Sequence, residues 1–99
     1  ETPKYSKNNY WMNIIQFKKN DKYLINKLIK FLENKKIQTR PIWYLNHLQK
    51  RLKNFQRYKI VNASKLLKNS LCIPSSSHLS KKEILIVIKN LKIFFENKK

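Results

Sequence analysis

Ninety-nine residues, 41% of them hydrophobic, suffice for one domain with a modest core and are too few for two. A single cysteine, Cys72, excludes an internal disulfide and a multi-cysteine metal site, and no apolar run approaches the roughly 20 residues of a membrane helix. The formal net charge of +18 would suit a polyanionic partner, yet twenty of the 23 basic residues are lysine and three are arginine. Lysine, asparagine and isoleucine together make 44 of the 99 residues, and glycine is absent. All three abundant types have A/T-rich codons, so an AT-biased genome accounts for the charge without a nucleic-acid ligand. A dedicated reader of phosphate or guanine relies on arginine, which binds both bidentately. No signal-peptide pattern opens the chain, which makes the cytoplasm the expected compartment. The absence of Met at position 1 suggests a piece of a longer protein.

In chain order, residues 1–9 are polar and read as a connector, with Pro3 arguing against an early helix. Residues 10–17 read as a strand whose two faces are both apolar: Tyr10, Met12 and Ile14 on one, Trp11, Ile15 and Phe17 on the other. Asn20 or Asp21 can cap the helix that follows, Lys22–Asn34, where Leu24, Ile25, Leu28, Ile29, Phe31 and Leu32 follow helical spacing. Lys35 and Lys36 end it, where glycine is the usual residue. A second strand opens at Ile37 and runs toward Tyr44. Pro41 cannot donate to a ladder, so this strand belongs at a sheet edge. Residues 50–59 interleave Leu52, Phe55 and Tyr58 with cations, as expected of a solvated segment tacked down by its aromatics. A short helix over 63–69 and a strand over 71–73 come next, the strand stopped by Pro74 and followed by the loop serines Ser75, Ser76 and Ser77. Ser80 and Glu83 form a capping box, with Leu79 and Ile84 as its hydrophobic staple. In the final helix Ile84, Val87, Ile88, Leu91 and Phe95 make one stripe, and Ile86 and Ile93 fall opposite, needing cover from another domain or partner. The order predicts a two-layer α+β domain, a short mainly antiparallel sheet with helices on one face.

Candidate chemistry concentrates between Arg40 and Gln49. Arg40 is a planar fork for carboxylate or phosphate, Trp43 and Tyr44 are flat faces with polar tips, and His47, Asn46 and Gln49 add hydrogen-bonding groups. Elsewhere the chain is poor. Its five acids are Glu1, Asp21, Glu33, Glu83 and Glu96, with no evident pair for acid/base work, and Asp21 and Glu83 read as helix-start residues. His47 and His78 do not argue for zinc, and a chain without glycine has no phosphate-cradling loop. Cys72, between Leu71 and Ile73, reads as a buried apolar filler. No catalytic residue, cofactor ligand or metal ligand is expected from this chain alone.

The order of the short motifs carries more than each alone. Asn9-Tyr10-Trp11-Met12-Asn13-Ile14, then a helix, then Ile37-Gln38-Thr39-Arg40-Pro41-Ile42-Trp43 with Asn46-His47-Leu48-Gln49-Lys50 resembles a sugar aminotransferase. The closing Leu71-Cys72-Ile73-Pro74-Ser75-Ser76, with Leu79-Ser80 and a capped helix, fits the same pattern. The resemblance is to the C-terminal domain of the DegT/DnrJ/EryC1/StrS group of pyridoxal-phosphate-dependent enzymes, and it covers nearly the whole chain. It implies that residues 1–99 are a single small C-terminal domain of a fold-type I aminotransferase. The cofactor and its Schiff-base lysine would sit in a large domain upstream. It implies an enzyme that takes an amino group from glutamate and gives it to a UDP- or other nucleotide-linked 4-keto-6-deoxy sugar for surface glycans, as a homodimer. The small domain would be inactive alone and would close over the sugar nucleotide. Carried onto this sequence, the substrate side comprises Arg40, Trp43, Tyr44, His47 and Gln49. Two departures stand out: Lys36 replaces a usual glycine, and Arg51 a usual proline. The rival readings are a basic nucleic-acid-binding module using Lys50, Arg51, Lys53, Phe55, Arg57 and Tyr58, and a gene remnant without function.

Overall fold

A computed structural model describes residues 2–18 and 21–97. Three short strands, β1 (Ile14–Gln16), β2 (Arg40–Pro41) and β3 (Ser70–Cys72), form one antiparallel sheet in the order β1-β3-β2. Three helices accompany it: α1 (Lys22–Asn34), α2 (Asn62–Asn69) and α3 (Lys81–Glu96), with a 3-10 turn at Asn46–Leu48. The two-layer α+β expectation holds, and Pro41 lies on an edge strand as its missing N–H requires.

Register divides the sheet into two rows. Ile15, Leu71 and Pro41 are cross-strand neighbours, as are Ile14, Cys72 and Arg40. Leu71 is fully buried against the helices, in a cluster with Ile25, Leu28, Leu32, Ile37 and Phe94. The second row therefore faces away from the core, and Ile14 and Arg40 are exposed on it. Cys72 is buried at the centre of that row, and burial pushes its thiol pKa up, which suits a packing role and not a nucleophile.

Local chemistry sets the ends of the elements. The Asp21 carboxylate accepts from the Leu24 N–H at 2.8 Å and starts α1; Asn20 lies outside the described residues. At the other end the Ile37 N–H reaches Leu32 O at 2.9 Å and the Lys36 N–H reaches Glu33 O at 2.8 Å, the hydrogen-bond pair of a Schellman stop. That stop places Lys36 at φ 59°, a left-handed conformation in which a lysine Cβ costs energy that glycine would not. It also drops Ile37 into the core, so the second strand begins at Arg40 and not at Ile37. Phe17 and Asn69 tie the end of β1 to the α2–β3 junction: Phe17 N–H donates to Asn69 O at 2.7 Å, and the Asn69 amide donates to Phe17 O at 3.2 Å. Ser70 Oγ donates to Asn69 Oδ1 at 3.1 Å, so this buried polar pair has its partners. The Ser80–Glu83 capping box forms as expected, and the hydrogen bonds from Ser80 hold the Glu83 carboxyl below the usual glutamate range.

Three further expectations are corrected. The strand over 10–17 shrinks to Ile14–Gln16, because the side chains of Asn8 and Asn9 capture the N–H groups of Tyr10 and Trp11 and turn the chain. Tyr10 and Met12 accordingly have positive φ, 55° and 64°. The stripe on α3 is only half used: Phe94 enters the core with Val87 and Leu91 beside it, while Ile84, Ile88 and Phe95 stay exposed. Along the N-terminal half of α3, Ile84, Leu85, Ile86 and Ile88 are all exposed. Ile86, expected to need outside cover, is exposed, and Ile93 is half-buried. Finally, the aromatics of residues 50–59 do not pin that segment. Residues 48–62 are exposed without interruption, Phe55 at 69% and Tyr58 at 78%.

The chain exposes 9195 Å². A free-standing domain of 12.1 kDa exposes only about 6,000 Å². Its radius of gyration, 15.9 Å, likewise exceeds the roughly 13 Å of a compact domain this size. Much apolar surface is left on the outside.

Candidate functional site

The segment from Arg40 to Gln49 leaves the sheet edge and folds into successive turns. Pro41 ends pairing, and the Leu48 and Gln49 N–H groups close a 3-10 turn on Leu45 O and Asn46 O at 3.0 Å. Trp43 and Tyr44 are exposed at 67% and 61%, and His47 is half-buried.

Trp43 divides two grooves. On one side Trp43, Tyr44 and His47 line an open groove of about 550 Å³ with Phe55 and Arg57 across from them. On the other side Trp43 and Arg40 line a smaller one of about 200 Å³ with Trp11, Cys72 and Ser75. The Trp11 ring meets Trp43 edge-on, centroids 6.1 Å apart and planes at 69°, which fixes the wall between them. The sequence-predicted residues are thus split: Trp43, Tyr44 and His47 share one groove, and Arg40 stands beyond the indole. Gln49 lines neither and gives its amide N–H to Asn46 Oδ1 at 2.9 Å.

Two residues outside the predicted set enter the site. Trp11 buttresses Trp43 from the distorted segment before β1. Arg57 Nη1 donates to the His47 carbonyl at 3.4 Å, bringing the 50–59 segment against the 3-10 turn. Trp11 belongs to the first of the five short motifs, so a signal for it was present. Arg57 is ten residues past His47 with no motif joining them.

The residues present do not fit pyridoxal phosphate. Every described lysine is exposed, and none lines the grooves beside Trp43. A carboxylate able to hold a pyridinium N–H is missing there too: Asp21 and Glu83 cap helices, and Glu33 and Glu96 are exposed. Among the described residues no three His, Cys, Asp or Glu side chains gather around a metal position. No described helix is long and apolar enough to cross a membrane. What the arrangement can do is present aromatic faces, an imidazole and two guanidinium groups to a ligand lying on top of it.

Fold and site together define a small two-layer α+β domain with an open aromatic lip. Residues 1–92 match the sequence model of the DegT/DnrJ/EryC1/StrS aminotransferase family, and the chain belongs to that family. Aminotransferase chemistry in the whole protein follows from that membership, and enzymes of this family generally use pyridoxal phosphate.

Proposed function

We propose that this chain is the C-terminal, substrate-side domain of an aminotransferase acting on a nucleotide-linked 4-keto-6-deoxy sugar in the cytoplasm. Pyridoxal phosphate, held by a separate large domain, supplies the amino-transfer chemistry with glutamate as donor. This chain contributes placement. Arg40 meets a phosphate of the nucleotide, Trp43 and Tyr44 pack on a sugar or base, and His47 hydrogen-bonds a sugar hydroxyl or phosphate. Gln49, occupied with Asn46, sets the shape of the turn that carries His47.

The observation that carries this reading, beside the family match, is the surplus of roughly 3,000 Å² of open surface over a free-standing domain of this mass. Its apolar part includes Tyr10, Trp11, Ile84 and Ile88 around a groove of about 890 Å³. A second domain laid across that side would cover it and leave the lip facing the cofactor. The experiment is to join this chain to a cofactor-bearing domain of the family and supply glutamate with a UDP-linked 4-keto-6-deoxy sugar. The amino sugar nucleotide, identified by mass spectrometry, is the expected product. Transamination of other keto acids with none of the sugar nucleotide contradicts the assignment.

A further inference from the structure

We propose that residues 50–59 form a binding surface for single-stranded nucleic acid, one that borders the groove of Trp43, Tyr44 and His47 through Phe55 and Arg57. Composition argued against a dedicated reader, because lysine is spread along the whole chain. The fold gives one segment a different weight. Lys50, Arg51, Lys53, Arg57 and Lys59 lie within ten residues, and no carboxylate occurs between Glu33 and Glu83 to neutralise them. The segment is wholly exposed, and its two aromatic rings, expected to tack it down, stand in solvent at 69% and 78%.

An aromatic ring left this open beside cations is what a stacked base requires. The backbone holds the rings on a defined scaffold. Leu52 N–H closes on Gln49 O at 3.0 Å and Phe55 N–H on Leu52 O at 3.1 Å, making consecutive turns in place of a random loop. Arg57 is anchored on the His47 carbonyl, and the Lys59 ammonium lies 5.2 Å from the Tyr58 ring centroid, on one of its faces. Bases need faces and phosphates need cations, and the segment alternates the two: Lys53, Phe55, Arg57, Tyr58, Lys59. An anionic bilayer fits less well. Lipid surfaces select amphipathic helices, and this segment is turns with its rings placed singly between charges. A duplex also fits less well, since its bases are stacked on one another and closed to the rings.

The test is a fluorescence-anisotropy titration of the chain with labelled twenty-nucleotide oligo-uridine, at several salt concentrations. Submicromolar binding at 50 mM salt is expected. The log–log salt slope should approach about −3.5, the value for five phosphate contacts on a single strand. Phe55→Ala/Tyr58→Ala, both at exposed positions, should keep the far-UV circular dichroism of the native chain and weaken binding tenfold or more. Equal affinity for duplex RNA, or for heparin with no effect of the double substitution, would overturn the proposal in favour of undirected charge. Tighter binding to phosphatidylserine vesicles than to oligo-uridine would overturn it in favour of a membrane surface. Phe55 also lines the Trp43 groove, so Trp43→Ala/Tyr44→Ala is the control: unchanged oligo-uridine binding keeps the two readings apart, and an equal loss would overturn the proposal by assigning the binding to the substrate groove.

Discussion

Two regions of this chain obey different rules. Around β3 the side chains of Leu28, Leu32 and Leu71 are fully buried, and even the polar Ser70 is sealed and hydrogen-bonded. Between Trp43 and Val61 no side chain is buried, although Trp43, Tyr44, Leu48, Phe55, Tyr58, Ile60 and Val61 are all large and apolar. The first region is a structure in its own right. The second sets many large apolar side chains among cations and leaves them all on the surface, a pattern that marks interaction surfaces. Packing is therefore concentrated in the first region, and exposed apolar surface in the second.

Breaking the packed side should have the largest effect. Leu71→Ala removes a fully buried side chain from the central strand and should cost about 2–5 kcal/mol. In a domain with this little core, denaturant titration should find the variant largely unfolded. By contrast, Tyr44→Ala, at a position 61% exposed, should change the unfolding free energy by no more than about 0.5 kcal/mol. A large loss there would erase the distinction between the regions. Intermediate effects come from helix ends. Ser80→Ala removes the α3 cap and should cost about 1 kcal/mol. Its partner also gives a pH signature. The folded-state pKa of Glu83 is lowered by hydrogen bonds from Ser80, so its contribution is present above the ordinary glutamate value and is lost as pH falls through the lowered one. Ser80→Ala should flatten that acid limb of the stability curve. Lys36→Gly should act in the other direction, raising stability by about 1 kcal/mol by relieving the left-handed backbone at φ 59°. Calorimetry on these two variants sharpens the comparison, since both act on helix ends outside residues 43–61.

The sequence shows the packed side well, because its signals are local. Asp21, the apolar spacing of α1, Pro41 and the Ser80–Glu83 box each name a structural role within a few residues, and each role is realised. Even the departure at Lys36 was visible as a glycine position filled by something else. The errors share a cause. The apolar run over 10–17 and the isoleucine stripe of α3 promise burial, but burial depends on what lies opposite, and strands of two or three residues cover little. Asn8 and Asn9 then redirect the backbone at Tyr10 and Trp11, an effect that periodicity does not register.

The candidate site was legible in part for the same reason. Trp43, Tyr44 and His47 are near in sequence and share a groove, whereas Arg40 falls across the Trp43 ring and Gln49 turns to Asn46. Trp11 and Arg57 reach the site through tertiary packing, from 32 residues before Trp43 and ten after His47. Neither distance is one that a helix or strand period could have revealed.

The most direct measurement is a two-part kinetic study of Arg40→Ala and His47→Ala in this chain joined to a cofactor-bearing domain of the family. The amino-donor half, followed by cofactor absorbance with glutamate alone, should be unchanged. The sugar-nucleotide half should lose tenfold or more in kcat/KM, with thermal stability within a degree or two of the unsubstituted protein. Equal kinetics in both halves would show that the lip does not touch the sugar nucleotide and would contradict the account.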